Sequence, residues 1–148
     1  MSLKLWLENG WLKEHKPTSR EIAELLAVAD RALKDCQIPE LSSEGKLNMA
    51  HNVALQSSAA ALAAVGYKSS REAYHYYVIE SLSFTLQLEG RVIRRLHKLR
   101  RKRNISDYER AGLVTEQEAE EMIALAKQLR DDVEQWLRAH YPSLAREI

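Results

Sequence analysis

The feature that most constrains this chain is the spacing of its apolar residues, which recur every three or four positions behind sequences of the form S/T-x-x-E. Thr18 with Glu21, Ser69 with Glu72 and Thr115 with Glu118 each fit a capping box. In that motif a hydroxyl satisfies one orphan N–H of a helix's first turn and the glutamate reaches back to satisfy another. Ile22, Leu25, Leu26, Ala29 and Leu33 form one stripe and predict a first long helix from Ser19 to Cys36, stopped by Pro39. A second helix is expected from Ser43 to Val65. Its apolar side is Met49, Val53, Leu55, Ala59, Ala60, Leu62, Ala63 and Ala64, rich enough in alanine for a neighbour to approach closely, with Gly66 as the C′ residue. A third begins near Ser70, where Tyr74, Tyr77, Val78, Leu82 and Leu86 share a face. Beyond Gly90 the residues Val92, Ile93, Leu96 and Leu99 carry the stripe to Arg103, as one kinked helix or as two. A loop from Asn104 to Val114 then leads to a last helix over Glu116–Ala139, buried through Met122, Ala126, Leu129, Val133, Trp136 and Leu137, with Pro142 ending the ordered part.

No β-branched run alternates with period two, so no sheet is expected. The 148 residues suffice for one core. The expectation is a single all-α domain over residues 1–148, a four- to five-helix up-and-down bundle with residues 1–17 as an arm whose Trp6 and Trp11 cover one end. Cys36 stands alone, which excludes an internal disulfide or a multi-cysteine metal site and suits a reducing cytoplasm. No signal-peptide core is visible, and no stretch approaches the ~18 apolar residues of a membrane span. His15, His51, His75, His97 and His140 show no metal-ligand spacing, and no phosphate-cradling glycine loop or nucleophile elbow is present. No metal or cofactor is therefore expected. His51 reads as a hydrogen-bonded packing residue, and the Tyr-His-Tyr-Tyr run at 74–77 as core, with base stacking the alternative.

The chemistry lies in the charge. The totals of 22 basic and 21 acidic residues cancel, but Arg91, Arg94, Arg95, Lys98, Arg100, Arg101, Lys102 and Arg103 fall within 13 positions that hold no acid, with His97 among them. Clustered arginines suit bidentate phosphate contacts, and a basic helical run is the usual electrostatic footprint of nucleic-acid binding. The competing reading is a solvated helix end whose cations favour the dipole and pair with Glu116, Glu118, Glu120 and Glu121 at the start of the last helix.

The segment Arg100-Arg101-Lys102-Arg103-Asn104-Ile105-Ser106-Asp107-Tyr108 resembles the motif region of the HEPN superfamily, an arginine followed by a polar residue and, four to six residues on, a histidine. The resemblance extends to Gly10–His15, Leu25–Asp35, Ala50–Leu55, Gly66–Lys68 leading to Tyr74–Tyr77, and Glu116–Leu137, nearly the whole chain. It implies a helical bundle that forms a homodimer, with the two motifs facing each other across a cleft. It also implies RNA or a nucleotide as ligand and, for many members, metal-independent ribonuclease activity in toxin–antitoxin or defence systems. Some members pair with a nucleotidyltransferase.

This chain departs from the pattern in carrying Tyr108 where the family has histidine. Metal-free RNA cleavage must deprotonate a 2′-OH and protonate the leaving oxygen, which a group of pKa near 6.5 does well. A phenol near pKa 10 donates but is a poor base unless neighbouring arginines lower it strongly. Arg103 is the expected phosphate clamp, Asn104 its orienting neighbour, and Asp107 or Tyr108 the candidate acid or base. Arg94, His97, Arg100 and Arg101 are expected to bind phosphate, and His97 is the alternative source of a proton. Three functions stay open: RNA or nucleotide binding, a ribonuclease toxin, and an interaction module docking an acidic protein such as a nucleotidyltransferase or antitoxin.

Overall fold

The computed structural model describes residues 2–70, 74–106 and 114–148, with 103–106 described by backbone alone. Among the described residues six α-helices run in chain order: α1 (Leu3–Glu8), α2 (Ser19–Asp35), α3 (Ser43–Ala64), α4 (Tyr74–Glu80), α5 (Gly90–Ser106) and α6 (Glu116–His140). Two three-residue strands, β1 (Leu12–Glu14) and β2 (Tyr67–Ser69), pair antiparallel with Leu12 opposite Ser69. The fold is mostly helical, as the apolar spacing dictates. The small sheet corrects the expectation of none.

Helix α3 is the axis of the molecule, packed between α2 and α6. From Ala50 to Ala64 only a narrow side, Asn52, Gln56 and Ala59, is partly exposed, with the Gln56 amide donating to Asn52 Oδ1 at 3.2 Å, and the rest of the helix surface is buried. Ser57 and Ser58 sit inside it, their hydroxyls donating to the Val53 and Ala54 carbonyls at 2.8 and 2.7 Å, so neither is an orphan. Met49, expected on the apolar side, is exposed. The main core joins Ile22 and Leu26 of α2, Leu47 and Val53 of α3, Leu82, Leu96 of α5, and Met122 and Leu137 of α6. Gly66 follows α3 with φ +97°, the left-handed turn in which glycine carries no Cβ penalty.

A second cluster seats the N-terminal arm. Trp6 of α1 and Leu12 of β1 bury against Leu55, Leu62 and Val78, with Trp11, Tyr67, Tyr74, Tyr77 and Phe84 around them. The Trp6 ring meets Tyr77 and Phe84 edge-on at 5.2 and 5.1 Å.

Helix α2 runs as expected to Asp35, with Cys36 as its cap and tight turns from Gln37 to Lys34 and Ile38 to Asp35 leading to Pro39. Three local expectations are corrected. The break in the third segment is not at Gly90, which opens α5. A 3₁₀ turn at Ser81–Ser83 and a left-handed Gln87 (φ 57°) make it instead. Helix α5 runs through Asn104 to Ser106, so Asn104 lies on helix rather than in the expected loop. The tail beyond Pro142 packs back: Ala145 is buried, and the Ser19 hydroxyl at the start of α2 donates to Glu147. Of the capping boxes, Thr115–Glu118 is complete and Thr18 caps α2 alone, because Glu21 turns to His15 (2.7 Å). Ser69 lies on β2 and Glu72 outside the described residues.

Candidate nucleic-acid interface

The basic run folds into α5 and is thereby sorted by angle. Turning 100° per residue, the helix buries Ile93, Leu96 and Leu99 and leaves Arg91, Arg94, Lys98 and Arg101 exposed on one stripe at i, i+3, i+7, i+10 spacing. Arg95 and Lys102 flank the stripe on the side of α6. Arg95 grips Glu121 through both Nε and Nη2, and Lys102 Nζ donates to Glu118 at 2.5 Å. Hydrogen bonds from these cations hold the Glu121 and Glu118 carboxyls below the usual carboxylate value. Glu118 also receives the Thr115 N–H of the capping box at 3.1 Å, so one side chain both starts α6 and ties it to α5. Both competing readings of the charge thus hold, for different residues. Arg95 and Lys102 form ion pairs inside the molecule, while among the described residues Arg94, Lys98 and Arg101 form no ion pair, and the Lys98 charge acts on Glu121 only from a distance. Arg91 pairs with the exposed Glu89 at 3.0 Å.

The other flank of the stripe faces α4. His97 is 7% exposed, with its Nε2–H donating to Glu80 Oε2 at 2.8 Å. A carboxylate only accepts, which puts a proton on Nε2, and Nδ1 is buried and without a hydrogen-bond partner among the described residues. Tyr76 lies flat over this imidazole, ring centroids 4.9 Å apart and planes 18° from parallel. Burial, then the Glu80 carboxylate, push the Tyr76 phenol up, so it is protonated at neutral pH, and the Arg100 charge opposes this. Arg100 is half-buried.

The structure therefore brings Arg94 and Arg101 together on an outer face, with His97 and Arg100 turned inward beside them. Arg103 and Asn104 follow on the last turn of the α5 backbone. Asp107 and Tyr108 lie outside the described residues. Sequence reasoning did not single out Glu80 or the exposure of Tyr76. The signal was their i, i+4 spacing, off the Tyr74–Tyr77–Val78 stripe. His51 is buried, its Nε2 3.0 Å from His75 Nδ1 and the rings stacked, a packing arrangement. Among the described residues no group of His, Cys, Asp and Glu is placed to hold a metal ion, and no helix is long and apolar enough to cross a membrane.

No protein-family model matches this chain, and no match is found to curated proteins or to solved structures. The geometry of α5 and its neighbours therefore carries the functional argument.

Proposed function

We propose that this chain is an RNA- or nucleotide-binding protein of the HEPN type that acts as a homodimer, with the exposed face of α5 as its phosphate-binding surface. The observation that carries the reading is the sorting of basic residues on α5. Arg95 and Lys102 pair with α6, and Arg94, Lys98 and Arg101 are held outward on one line by a helix whose opposite face is buried. A rigid row of guanidinium and ammonium groups spaced at one helical turn suits successive backbone phosphates. The row runs along the helix axis toward the end whose backbone carries Arg103 and Asn104, the first half of the resembled motif.

The test is a mobility-shift titration of RNA with wild type, Arg94→Gln, Lys98→Gln and Arg101→Gln, alongside incubation of RNA in EDTA with wild type and Arg103→Ala. Each stripe variant is expected to weaken binding across sequences. Wild-type affinity in all three would refute the reading. Cleavage in EDTA by wild type and not by Arg103→Ala would extend binding to metal-independent ribonuclease action. Copurification of an acidic protein without RNA would reassign the stripe to a protein partner.

A further inference from the structure

Between the N-terminal arm and α4 lies a notch lined by Trp6, Trp11, Tyr76, Tyr77, Glu80 and Phe84, with a volume of about 260 Å³. We propose that this notch is a stacking subsite for one unpaired nucleobase of the RNA held on α5. The proposal rests on the RNA-binding reading above and adds a second, uncharged contact to it.

Size comes first. The notch is smaller than the ~300–1,000 Å³ of pockets that enclose whole ligands, and it suits a single ring system. Its walls are rings already fixed against each other. Trp11 stacks on Tyr77 with centroids 5.0 Å apart and planes 19° from parallel, and Trp6 braces both rings edge-on from below. A platform locked in this way loses little freedom when a base lands on it. Tyr76 closes the side toward α5. It is 41% exposed, the most exposed aromatic of its helix, and it is backed by His97 rather than left to swing.

Position comes second. Tyr76 and Glu80 belong to the notch and also touch α5, through the His97 ring and the 2.8 Å hydrogen bond from His97. The Arg100 charge reaches the Tyr76 phenol, and Arg101, the next residue, is on the exposed stripe. A base in the notch would thus have its own phosphate beside α5. The orientation follows from charge, because the Glu80 carboxylate repels a phosphate and admits a neutral ring. Aromatic rings interleaved with a basic track are how single strands are bound without sequence readout, since every base has a π-face and a paired base does not offer it.

The experiment is a fluorescence-anisotropy titration of labelled single-stranded RNA and of a duplex of equal length, with wild type, Tyr76→Leu, Tyr76→Phe and Lys98→Gln. Leucine keeps His97 covered but removes the π-face. Tyr76→Leu is expected to lose roughly 5- to 150-fold in affinity for the single strand, the range for one stacked base, while its duplex affinity is unchanged. Tyr76→Phe is expected to bind like wild type, and RNA is expected to quench the tryptophan fluorescence of wild type. Single-strand affinity equal to wild type in Tyr76→Leu overturns the subsite, and if Lys98→Gln is weakened in the same titration the interface on α5 stands without it. Equal losses for single strand and duplex overturn it as well. Absence of RNA binding by wild type overturns both readings.

Discussion

Arg95 and Lys98 stand three positions apart on α5 with the same charge and opposite fates. Arg95 is bound to Glu121, and Lys98 is exposed. Replacing Arg95 with glutamine is expected to lower stability by about 0.2–1 kcal/mol, the range for solvent-screened pairs, and to leave RNA affinity intact. Lys98→Gln is expected to do the reverse, reducing the dependence of log K on log salt by about 0.7, as one lost phosphate contact of a single strand does. Thermal melts and salt titrations of the two variants separate these outcomes. The sequence shows both residues in one basic run and says nothing of which faces α6, because their angular positions differ by only 60° and the neighbour's placement is a tertiary fact. Tyr76 illustrates the same limit. Four ring residues in succession read as core, and the helix turns one of them, Tyr76, into the open.

At the scale of elements, the contact between α5 and α6 is an acid-sensitive joint. Lys102 and Arg95 hold the Glu118 and Glu121 carboxyls below the ordinary value of 4.5. Carboxyls depressed by folding contribute stability that is full above their unfolded value and lost as pH falls through the lowered folded values. The melting temperature is therefore expected to hold from pH 7 to about pH 5 and to drop below about pH 4.5. A Glu121→Gln variant should drop less steeply, and an unchanged acid slope would speak against the joint. Helix α3 is set instead by close approach. Ala54 is fully buried there, so Ala54→Leu should cost about 1–3 kcal/mol in denaturant unfolding through overpacking. The helices were legible because apolar spacing and the Thr115 and Thr18 caps are local signals. The β1–β2 ladder was not. Leu12-Lys13-Glu14 and Tyr67-Lys68-Ser69 are too short to display alternation, and they pair across more than 50 residues. Glu21 left its capping box for the same kind of reason, a histidine six residues upstream.

Across the whole molecule, near-neutral net charge conceals a basic face on α5, and an arginine on α6 fastens that helix to α2. Arg130 of α6 reaches Asp30 of α2 at 2.6 and 3.0 Å and also holds Glu134, with its own side chain only 12% exposed. Arg130→Ala should cost about 1–2 kcal/mol by thermal melt, between the ~0–1 of exposed pairs and the ~3–5 of buried ones. It should not touch RNA binding, since Arg130 contacts α2 and α6 and not α5. Charge clustering was legible in the sequence, but the division into paired and outward cations needed the fold, as did the return of the tail to Ser19. The central claim is that the outward cations meet phosphate. Its most direct test is the salt dependence of single-stranded RNA binding by wild type and by the triple variant Arg94→Gln, Lys98→Gln, Arg101→Gln. The account predicts a log–log slope shallower by about 2 in the triple variant, with secondary structure and melting temperature unchanged. An unchanged slope in a folded triple variant would contradict it.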